Sequence, residues 1–443
     1  MAFIRDTFYS LASNLFALVT SLVIGILTAR LLGPAGKGNY YLVVQTATLG
    51  ALLLSFGLGP SFQYHLNHRI FSLRSATTQW FTFALFDVCL LSIIALFGKD
   101  VLHAMTKSTV TLQTVVLCSI GVFLQTQVLM SNFIVGSFPN GIRTGTIIGA
   151  IQGTVSAIAM VLCLGVFRLG VTAAILSFFA GLFVRIVVTV VVIFRHDDSG
   201  FASWRTTEAR MLLIYGLGAF ASNVVLTSVF RIDVYFVEAF RGAAEVGIYS
   251  VAVALAELAL MLPNAAGISL FRHLPAASNE ERLARIKKAS RFVILVSTVA
   301  GLTLIVLSKP LVHLLMGARF AGSVLPLCLL IPGLIAMSVN YVFGNFFTAL
   351  GKPLTTAACF GCALAVNVLL NFWLIPAHGA AGAAVASSIS YTIATICFLT
   401  VMKKRYRISL AEMLVPSFQD ASSLFAQLRL AVSARNSTEI GGA

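Results

Sequence analysis

Residues 223–249 read NVVLTSVFRIDVYFVEAFRGAAEVGIY. The stretch begins as an apolar helix long enough to cross a bilayer, yet Arg231, Asp233 and Glu238 lie within it or near its end. A charge at membrane depth costs roughly 2.5–3.5 kcal/mol on insertion scales, so such side chains usually face a protein interior or a water-filled cavity. We therefore expect this helix to form one wall of a cavity that other membrane-spanning helices enclose.

The composition of the whole chain is that of an all-α polytopic membrane protein. Of its 443 residues, 58% are hydrophobic and 10% are charged, against about 25% charged residues in soluble proteins. Apolar runs long enough to span a membrane recur from end to end. With Gly and Pro as punctuation, they predict about twelve helices, at residues 10–32, 39–59, 79–98, 112–136, 144–166, 171–194, 211–239, 246–270, 290–308, 323–348, 354–376 and 381–402.

The same composition excludes several classes of function. The net charge is +15, but the basic residues gather in loops and the tail, where they set topology and meet anionic lipid, so nucleic acid is not an expected partner. All seven cysteines lie in apolar segments. Zinc-binding, nucleotide-binding and nucleophile motifs are absent from the sequence. We expect no metal, no cofactor and no enzymatic activity.

The distribution of Lys and Arg predicts that both termini are cytoplasmic. With that orientation the inner loops and termini hold 20 basic residues, and the outer loops with their helix ends, Lys37 among them, hold nine. The predicted domains are an N-terminal six-helix lobe (1–195), a cytoplasmic linker (196–210), a C-terminal six-helix lobe (211–402) and a basic tail (403–443). Residues 275–291 are predicted to form a cytoplasmic amphipathic helix. Residues 409–434 suit either a helix on the inner membrane surface or a frayed tail.

An internal repeat supports the division into two lobes. When the sequence is shifted by 209 residues, nine identities fall within residues 12–47, where chance gives roughly three. Gly33, Gly38 and Tyr40 fall on Gly242, Gly247 and Tyr249, and Gly170 falls on Gly379. Two parallel six-helix repeats around a central cavity are a plan that transporters use. Coincidence between apolar helices is the alternative.

Arginines inside the predicted helices are the candidate substrate-binding residues. An arginine stays charged at any relevant pH and binds phosphate through a planar fork of donors. Arg30, Arg185 and Arg231 therefore suit an anionic head group, above all a pyrophosphate. For Arg30 the alternative is a side chain that extends to the membrane interface.

Other polar residues of the helices are candidates for lining the cavity or balancing its charge. On a helical wheel Asn223, Arg231 and Glu238 share one stripe, whereas Asp233 points away from it. The acidic residues could balance arginines, bind a coupling cation or carry a proton, and a structural ion pair is the alternative for each. The full set is Asn14, Asp87, Asn223, Asp233, Glu238 and Glu257.

Four stretches together resemble a known family, the bacterial polysaccharide transporters and lipid-linked oligosaccharide (O-antigen) flippases of the multidrug/oligosaccharidyl-lipid/polysaccharide exporter superfamily. Their order along the chain carries the resemblance. They are ARLLGPAGKG (29–38), RID (231–233) followed by VGIYSVA (246–252), LGKP (350–353), and Asn367 with NFWLIP (371–376) and HGAAGAA (378–384).

The resemblance implies an inner-membrane flippase. Its substrate would be an undecaprenyl-pyrophosphate-linked oligosaccharide, moved from the cytoplasmic to the periplasmic leaflet by alternating access. It maps the family's cationic cavity onto Arg30, Arg185 and Arg231, with Asp233 as an acidic partner. Membrane lipids, a polysaccharide polymerase and assembly proteins are the implied partners. Two alternatives stay open: a cation-coupled multidrug exporter of the same superfamily, and a non-transporting scaffold of a polysaccharide assembly complex.

Overall fold

The computed structural model describes residues 2–106, 112–196, 200–260, 263, 279–406 and 412–413. Within these ranges the chain consists of helices and the turns between them, with no strand. The segment 409–434, predicted as a surface helix or a frayed tail, falls outside the described residues except at 412–413. The C-terminal end of the predicted helix 246–270 is described only at Pro263 beyond residue 260.

Eleven α-helices make up the described chain. Three of them continue into short turns of other helical types: a π turn at Val161–Val166, a 3₁₀ turn at Glu257–Leu260, and a π turn at Val312–Met316 that precedes a 3₁₀ turn at Ala318–Ser323. The α-helices are α1 Ala2–Leu54, α2 Leu58–Asn67, α3 Leu73–Thr106, α4 Leu112–Gly136, α5 Gly141–Met160, α6 Val171–Phe194, α7 Thr206–Arg241, α8 Ala243–Ala256, α9 Asn279–Leu311, α10 Val324–Ala349 and α11 Pro353–Tyr406.

The described helices provide nine or ten candidate membrane spans, where the sequence predicts about twelve. Nine are long and apolar enough to cross a membrane, and a tenth span is the pair Thr206–Gly218 and Asn223–Arg241, bent by 58°. The long helices α1 and α11 are each interrupted by a non-helical glycine, Gly33 in α1 and Gly379 in α11, so that each consists of two helical arms. The chain is a multi-pass membrane protein, and the predicted all-α fold is confirmed.

Two segments differ from the prediction. Residues 60–78 lie between two predicted helices and were expected to be a loop, but most of α2 and the start of α3 fall within them. Leu58 and Phe62 of α2 are fully buried in a cluster with Trp80 and Ile134. The predicted separate amphipathic helix at 275–291 is wrong where it is described, since Asn279–Leu311 is one continuous helix. No Gly or Pro occurs between residues 279 and 300 to interrupt it.

The internal repeat is visible in the backbone. Gly33 (φ 69°, ψ −176°) and Gly242 (φ 81°, ψ 175°) break the chain in the same conformation, 209 residues apart. Gly170 (φ 82°, ψ −163°) and Gly379 (φ 56°, ψ −133°) form a second such pair. A positive φ with an extended ψ is essentially restricted to glycine. The identities found by shifting the sequence therefore mark repeated helix breaks.

The chain divides into two compact units. The first is Met1–Val251 with Val312–Gly322, and the second is Ala252–Leu311 with Ser323–Ala443. Helix α7 belongs to the first unit because it packs against α1 and α2. The predicted lobe boundary at 196–210 therefore does not coincide with the division into compact units, and the lobes stay a prediction.

Candidate functional site

Arg185 on α6 carries a positive charge that neutral groups hold in place. Its Nη1 donates to Gln152 Oε1 on α5 at 2.6 Å, and its Nη2 donates to Asn132 Oδ1 on α4. Its buried Nε has no hydrogen-bond partner. No carboxylate among the described residues forms an ion pair with Arg185. Three helices of the first unit thus present one uncompensated guanidinium.

Arg231 lies where α7 packs on the second arm of α1. Its Nη1 donates to the hydroxyl of Tyr41 at 3.3 Å. One turn further along α7, the hydroxyls of Tyr235 and Thr46 are 3.2 Å apart. Arg231, Tyr41 and Tyr235 are half-buried. This edge of α7 therefore offers a cation and hydroxyl groups, which are suitable partners for phosphate and sugar oxygens.

Asp233 is only 1% exposed and has different neighbours from Arg231. Its Oδ2 accepts a hydrogen bond from the hydroxyl of Tyr249, and its Oδ1 accepts one from the backbone N–H of Val234 at 2.8 Å. Tyr249 follows the break at Gly242, so this contact joins the helices on either side of it.

Arg30 is engaged with backbone carbonyls. Its Nε donates to Leu315 O at 3.0 Å and its Nη2 donates to Leu314 O, both in the π turn Val312–Met316. A guanidinium in this place satisfies carbonyls at the end of a helix. The structure therefore gives Arg30 a contact that the prediction of head-group binding did not foresee.

Asp87 on α3 takes part in a buried chain of side-chain hydrogen bonds. It is 1% exposed, and Gln127 Nε2 donates to its Oδ2 at 3.0 Å. Gln127 Oε1 in turn accepts from Trp80 Nε1 at 2.9 Å. The hydrogen bond from Gln127 thus ties Asp87 on α3 to α4.

The remaining predicted cavity residues are spread over the chain. Glu238 is half-buried, and its Oε2 has no hydrogen-bond partner. Asn223 is exposed on α7, and Glu257 begins a 3₁₀ turn in the second unit. The backbone of Asn14 is helical, whereas its side chain lies outside what the structure describes.

Lys37 is a buried cation that was not predicted from the sequence to lie in the interior. The side chain is 7% exposed, and its Nζ donates to Gly25 O at 3.1 Å and to Thr28 Oγ1 at 3.2 Å. From the sequence, Lys37 is predicted to lie in an outer loop, because Gly33-Pro34 is typical of a turn. The helix instead resumes after Gly33, and Lys37 bonds back to the arm before the break.

A cluster of buried amides in the second unit was also not predicted from the sequence. Asn371 Nδ2 donates to Asn367 Oδ1 at 2.8 Å, and Asn367 Nδ2 reaches Ser387 Oγ at 3.4 Å. Asn371 Oδ1 is buried without a partner. The spacing of Asn367 and Asn371 by four residues on an apolar helix is a signal that could have indicated this cluster. Among the described residues, no group of three or more His, Cys, Asp and Glu is placed to hold a metal ion.

Comparison with known families decides the relationship. The model of a family described as "Polysaccharide biosynthesis protein" matches residues 3–271, which is more than half of the chain. The chain belongs to this family. A second model, MatE, matches residues 219–373. The resemblance to the polysaccharide transporters of the exporter superfamily is thereby confirmed.

One curated relative is named "Probable low-salt glycan biosynthesis flippase Agl15", from Haloferax volcanii. The two proteins are 24% identical over 193 residues, which is 43% of this chain and 41% of the relative. The match thus spans less than half of the relative's length.

Solved structures share the fold. A lipid II flippase MurJ in an inward closed conformation superposes with a TM-score of 0.76 at 14% identity, covering 94% of this chain and 91% of that one. An inward-facing multidrug resistance MATE family transporter gives a TM-score of 0.70 at 13% identity, covering 88% and 94%. At these identities the likeness establishes the architecture alone.

Proposed function

We propose that this protein is a flippase that moves an undecaprenyl-pyrophosphate-linked oligosaccharide from the cytoplasmic to the periplasmic leaflet of the bacterial inner membrane, for cell-surface polysaccharide synthesis. Family membership and the named flippase relative support a carrier of lipid-linked saccharides. The direction of movement is the one that the resemblance to the polysaccharide transporters implies.

The uncompensated guanidinium of Arg185 is the observation that carries the proposal. Burying a charge without a counter-charge is costly, and here two amide oxygens orient the cation without neutralising it. An incoming pyrophosphate would supply the missing negative charge and accept from the unused Nε–H. A structural ion pair, the alternative for a membrane arginine, would need a carboxylate in this place.

The edge of α7 supports the saccharide part of the substrate. Arg231 with Tyr41, and Tyr235 with Thr46, place one cation and three hydroxyls along the contact between α7 and α1. Hydroxyls can both donate and accept, as sugar hydroxyls require. We assign head-group binding to Arg185 and Arg231 together, and we expect the acidic residues to serve coupling or structure.

A multidrug exporter is the second candidate, and the MatE match and the MATE structural neighbour favour it. A cavity for cationic drugs would need uncompensated carboxylates. Glu238, with one buried carboxyl oxygen that lacks a partner, is a described residue that suits this role. Raised resistance to a cationic dye such as ethidium on expression, lost in Glu238→Gln and kept in Arg185→Gln, would favour the exporter.

Ligand-dependent stabilisation of the purified protein tests the flippase directly. A short-chain polyprenyl-pyrophosphate-linked N-acetylglucosamine should raise the midpoint of thermal unfolding, whereas the matching neutral polyprenol should not. Ligand at a hundred times its dissociation constant stabilises by about 2.7 kcal/mol. Arg185→Gln should abolish the shift. Arg195→Gln, an exposed arginine at the end of the same helix, is the matched control and should keep it.

A cellular experiment tests transport itself. Deletion of the gene should remove surface polysaccharide and leave lipid-linked saccharide on the cytoplasmic leaflet. Arg231→Ala, correctly inserted in the membrane, should behave like the deletion. Normal surface polymer in both Arg231→Ala and Arg185→Gln would contradict the proposed mechanism. Normal polymer in the deletion strain would contradict the function.

A further inference from the structure

Two glycines in repeat-related positions approach each other's helix break so closely that neither has room for a side chain. A Cβ atom on Gly38 would overlap the backbone carbonyl of Ala243. A Cβ atom on Gly247 would overlap the backbone carbonyl of Pro34. Gly38 and Gly247 are 209 residues apart, as are Pro34 and Ala243. The two contacts are therefore the same contact made reciprocally.

Such reciprocity is the mark of a local two-fold relation, in which one patch meets its own counterpart. Each patch begins at a glycine with positive φ, Gly33 or Gly242, which turns the chain so that the next carbonyl faces the other repeat. Backbone then meets backbone, because glycine at positions 38 and 247 leaves no side chain between them. Both breaks lie at the ends of helices predicted to face the outside.

Arg30 fastens the same end of the first unit. It lies three residues before Gly33 and donates to the carbonyls of Leu314 and Leu315. Arg319, in the 3₁₀ turn that follows, places its Nη1 3.7 Å from where a Cβ of Gly33 would be. The segment Val312–Gly322 thereby belongs to the first unit, although the chain on either side of it belongs to the second.

We propose that these contacts form a seal that separates when the transport path opens at this end. The name "glycine seal" covers Pro34, Gly38, Ala243 and Gly247, with Arg30 as the residue that fastens it. A substrate with a sugar chain cannot pass between backbones in van der Waals contact, so a protein that releases it here must part them. The proposal rests on the proposed function in one respect, namely that something is transported.

The contacts are also of a kind that can part. Glycine against carbonyl involves no interdigitated side chains, so separation does not require repacking of a core. The carbonyls that Arg30 releases can be hydrated, since Arg30 is exposed. By contrast, Tyr249 on α8 is buried and donates a hydrogen bond to Asp233 on α7.

Cross-linking distinguishes a moving seal from a fixed helix contact. Ala35 and Ala244 are exposed, repeat-related neighbours of the seal, so Ala35→Cys with Ala244→Cys places two thiols across it. The seven native cysteines are replaced by serine or alanine in a background that retains polysaccharide export. Cross-linking with a short bis-methanethiosulfonate should lower polysaccharide export at least tenfold. Reduction of the cross-link with a thiol should restore export. Export at the unmodified rate with the cross-link complete would overturn the proposal.

Distances between spin labels at the same two positions test the seal without any assumption about substrate. The purified protein should show a short and a longer distance. Gly38→Ala should shift the population toward the longer distance, whereas Gly145→Ala, on a glycine with nothing near its Cβ position, should leave it unchanged. If Gly38→Ala does not fold, Arg30→Gln provides the second variant and should shift the population the same way. A single unchanged short distance in every folded variant would overturn the seal.

The two experiments separate this inference from the proposed function. A wrong substrate assignment would leave the deletion strain with normal surface polymer, yet the spin-label distances would still report opening. A fixed contact would give one distance while export still depends on Arg185 and Arg231.

Discussion

The helix breaks at Gly33 and Gly242 have one backbone conformation and opposite chemistry. In the first, the ammonium of Lys37 reaches back across the break to Gly25 O and Thr28 Oγ1. In the second, the hydroxyl of Tyr249 reaches back to the carboxylate of Asp233. Each break is thus held by a buried polar bond between its two arms, but a cation holds one and an anion holds the other.

The difference separates what the repeat preserves from what it does not. The glycines are repeated because the turn and the close approach admit no other residue. The charged groups are not repeated: the residue 209 positions after Lys37 is Val246, and the residue 209 positions before Asp233 is Ile24. We infer that the glycines specify geometry, whereas the charges have been placed for separate purposes in the two halves.

The largest effect is expected from removing the shared geometry. Gly33→Ala and Gly242→Ala should each lower the free energy of unfolding by about 1–3 kcal/mol, since the required backbone conformation is strained for alanine. Gly25→Ala, in an ordinary helical position with open space, should instead raise it by about 0.5–1 kcal/mol. Thermal unfolding in detergent, monitored by size-exclusion chromatography, measures the stability of all three variants.

Equal losses at the two breaks would support their equivalence. A loss of stability in Gly33→Ala with none in Gly242→Ala, or the reverse, would show that the repeated conformation contributes to stability in one half only.

These breaks also show what the sequence could and could not predict. Identity at a shift of 209 residues pointed to Gly33 and Gly242 as equivalent, and apolar runs located α4 and α6 to the residue. The pattern did not predict that the helix resumes directly after Gly33, because Gly33-Pro34 is equally typical of a loop. That single ambiguity placed Lys37 in solvent instead of in the interior.

The candidate site was foreseen in its residue types more than in its contacts. Arg185 and Arg231 could be predicted from the sequence alone, because each lies deep within an apolar helix. The partners of a charge depend on which helix faces it, so the amides around Arg185 and the carbonyls around Arg30 could not be predicted. A helical wheel ranks directions around one helix and says nothing about neighbours.

A loss of stability of similar size is expected at the anionic break. Tyr249→Phe should destabilise the protein by about 1.5–3 kcal/mol, because a buried carboxylate loses a hydrogen-bond donor. Tyr235→Phe removes a hydroxyl whose partner, Thr46, is neutral and half-buried, and it should cost about 0.5–1.5 kcal/mol. The same unfolding measurement compares them. Equal costs for the two variants would mean that Asp233 does not depend on Tyr249.

A smaller effect is expected from the acceptor in the cationic break. Thr28→Val keeps the shape of a fully buried side chain and removes one acceptor of Lys37. The expected loss is about 1 kcal/mol, the net value of one hydrogen bond. Ser177→Ala is a suitable control, since its hydroxyl is buried but bonds only to a carbonyl of its own helix. A Thr28→Val loss no greater than that of Ser177→Ala would show that the contact with Lys37 contributes nothing.

The smallest effect on stability, and the most informative, is expected from Lys37→Met. The ammonium is buried, and no described carboxylate forms an ion pair with it, so an apolar side chain of similar length removes a desolvation cost together with two hydrogen bonds. These terms oppose each other, and the free energy of unfolding should change by less than about 1 kcal/mol. Stability therefore gives no reason for a lysine at this position. If its charge serves transport, Lys37→Met should insert and unfold like the unmodified protein yet lose surface polysaccharide, whereas Tyr249→Phe should lose stability first. Lys37→Met with normal export would leave the cation without a function, and the two breaks would then differ only by drift between the repeats.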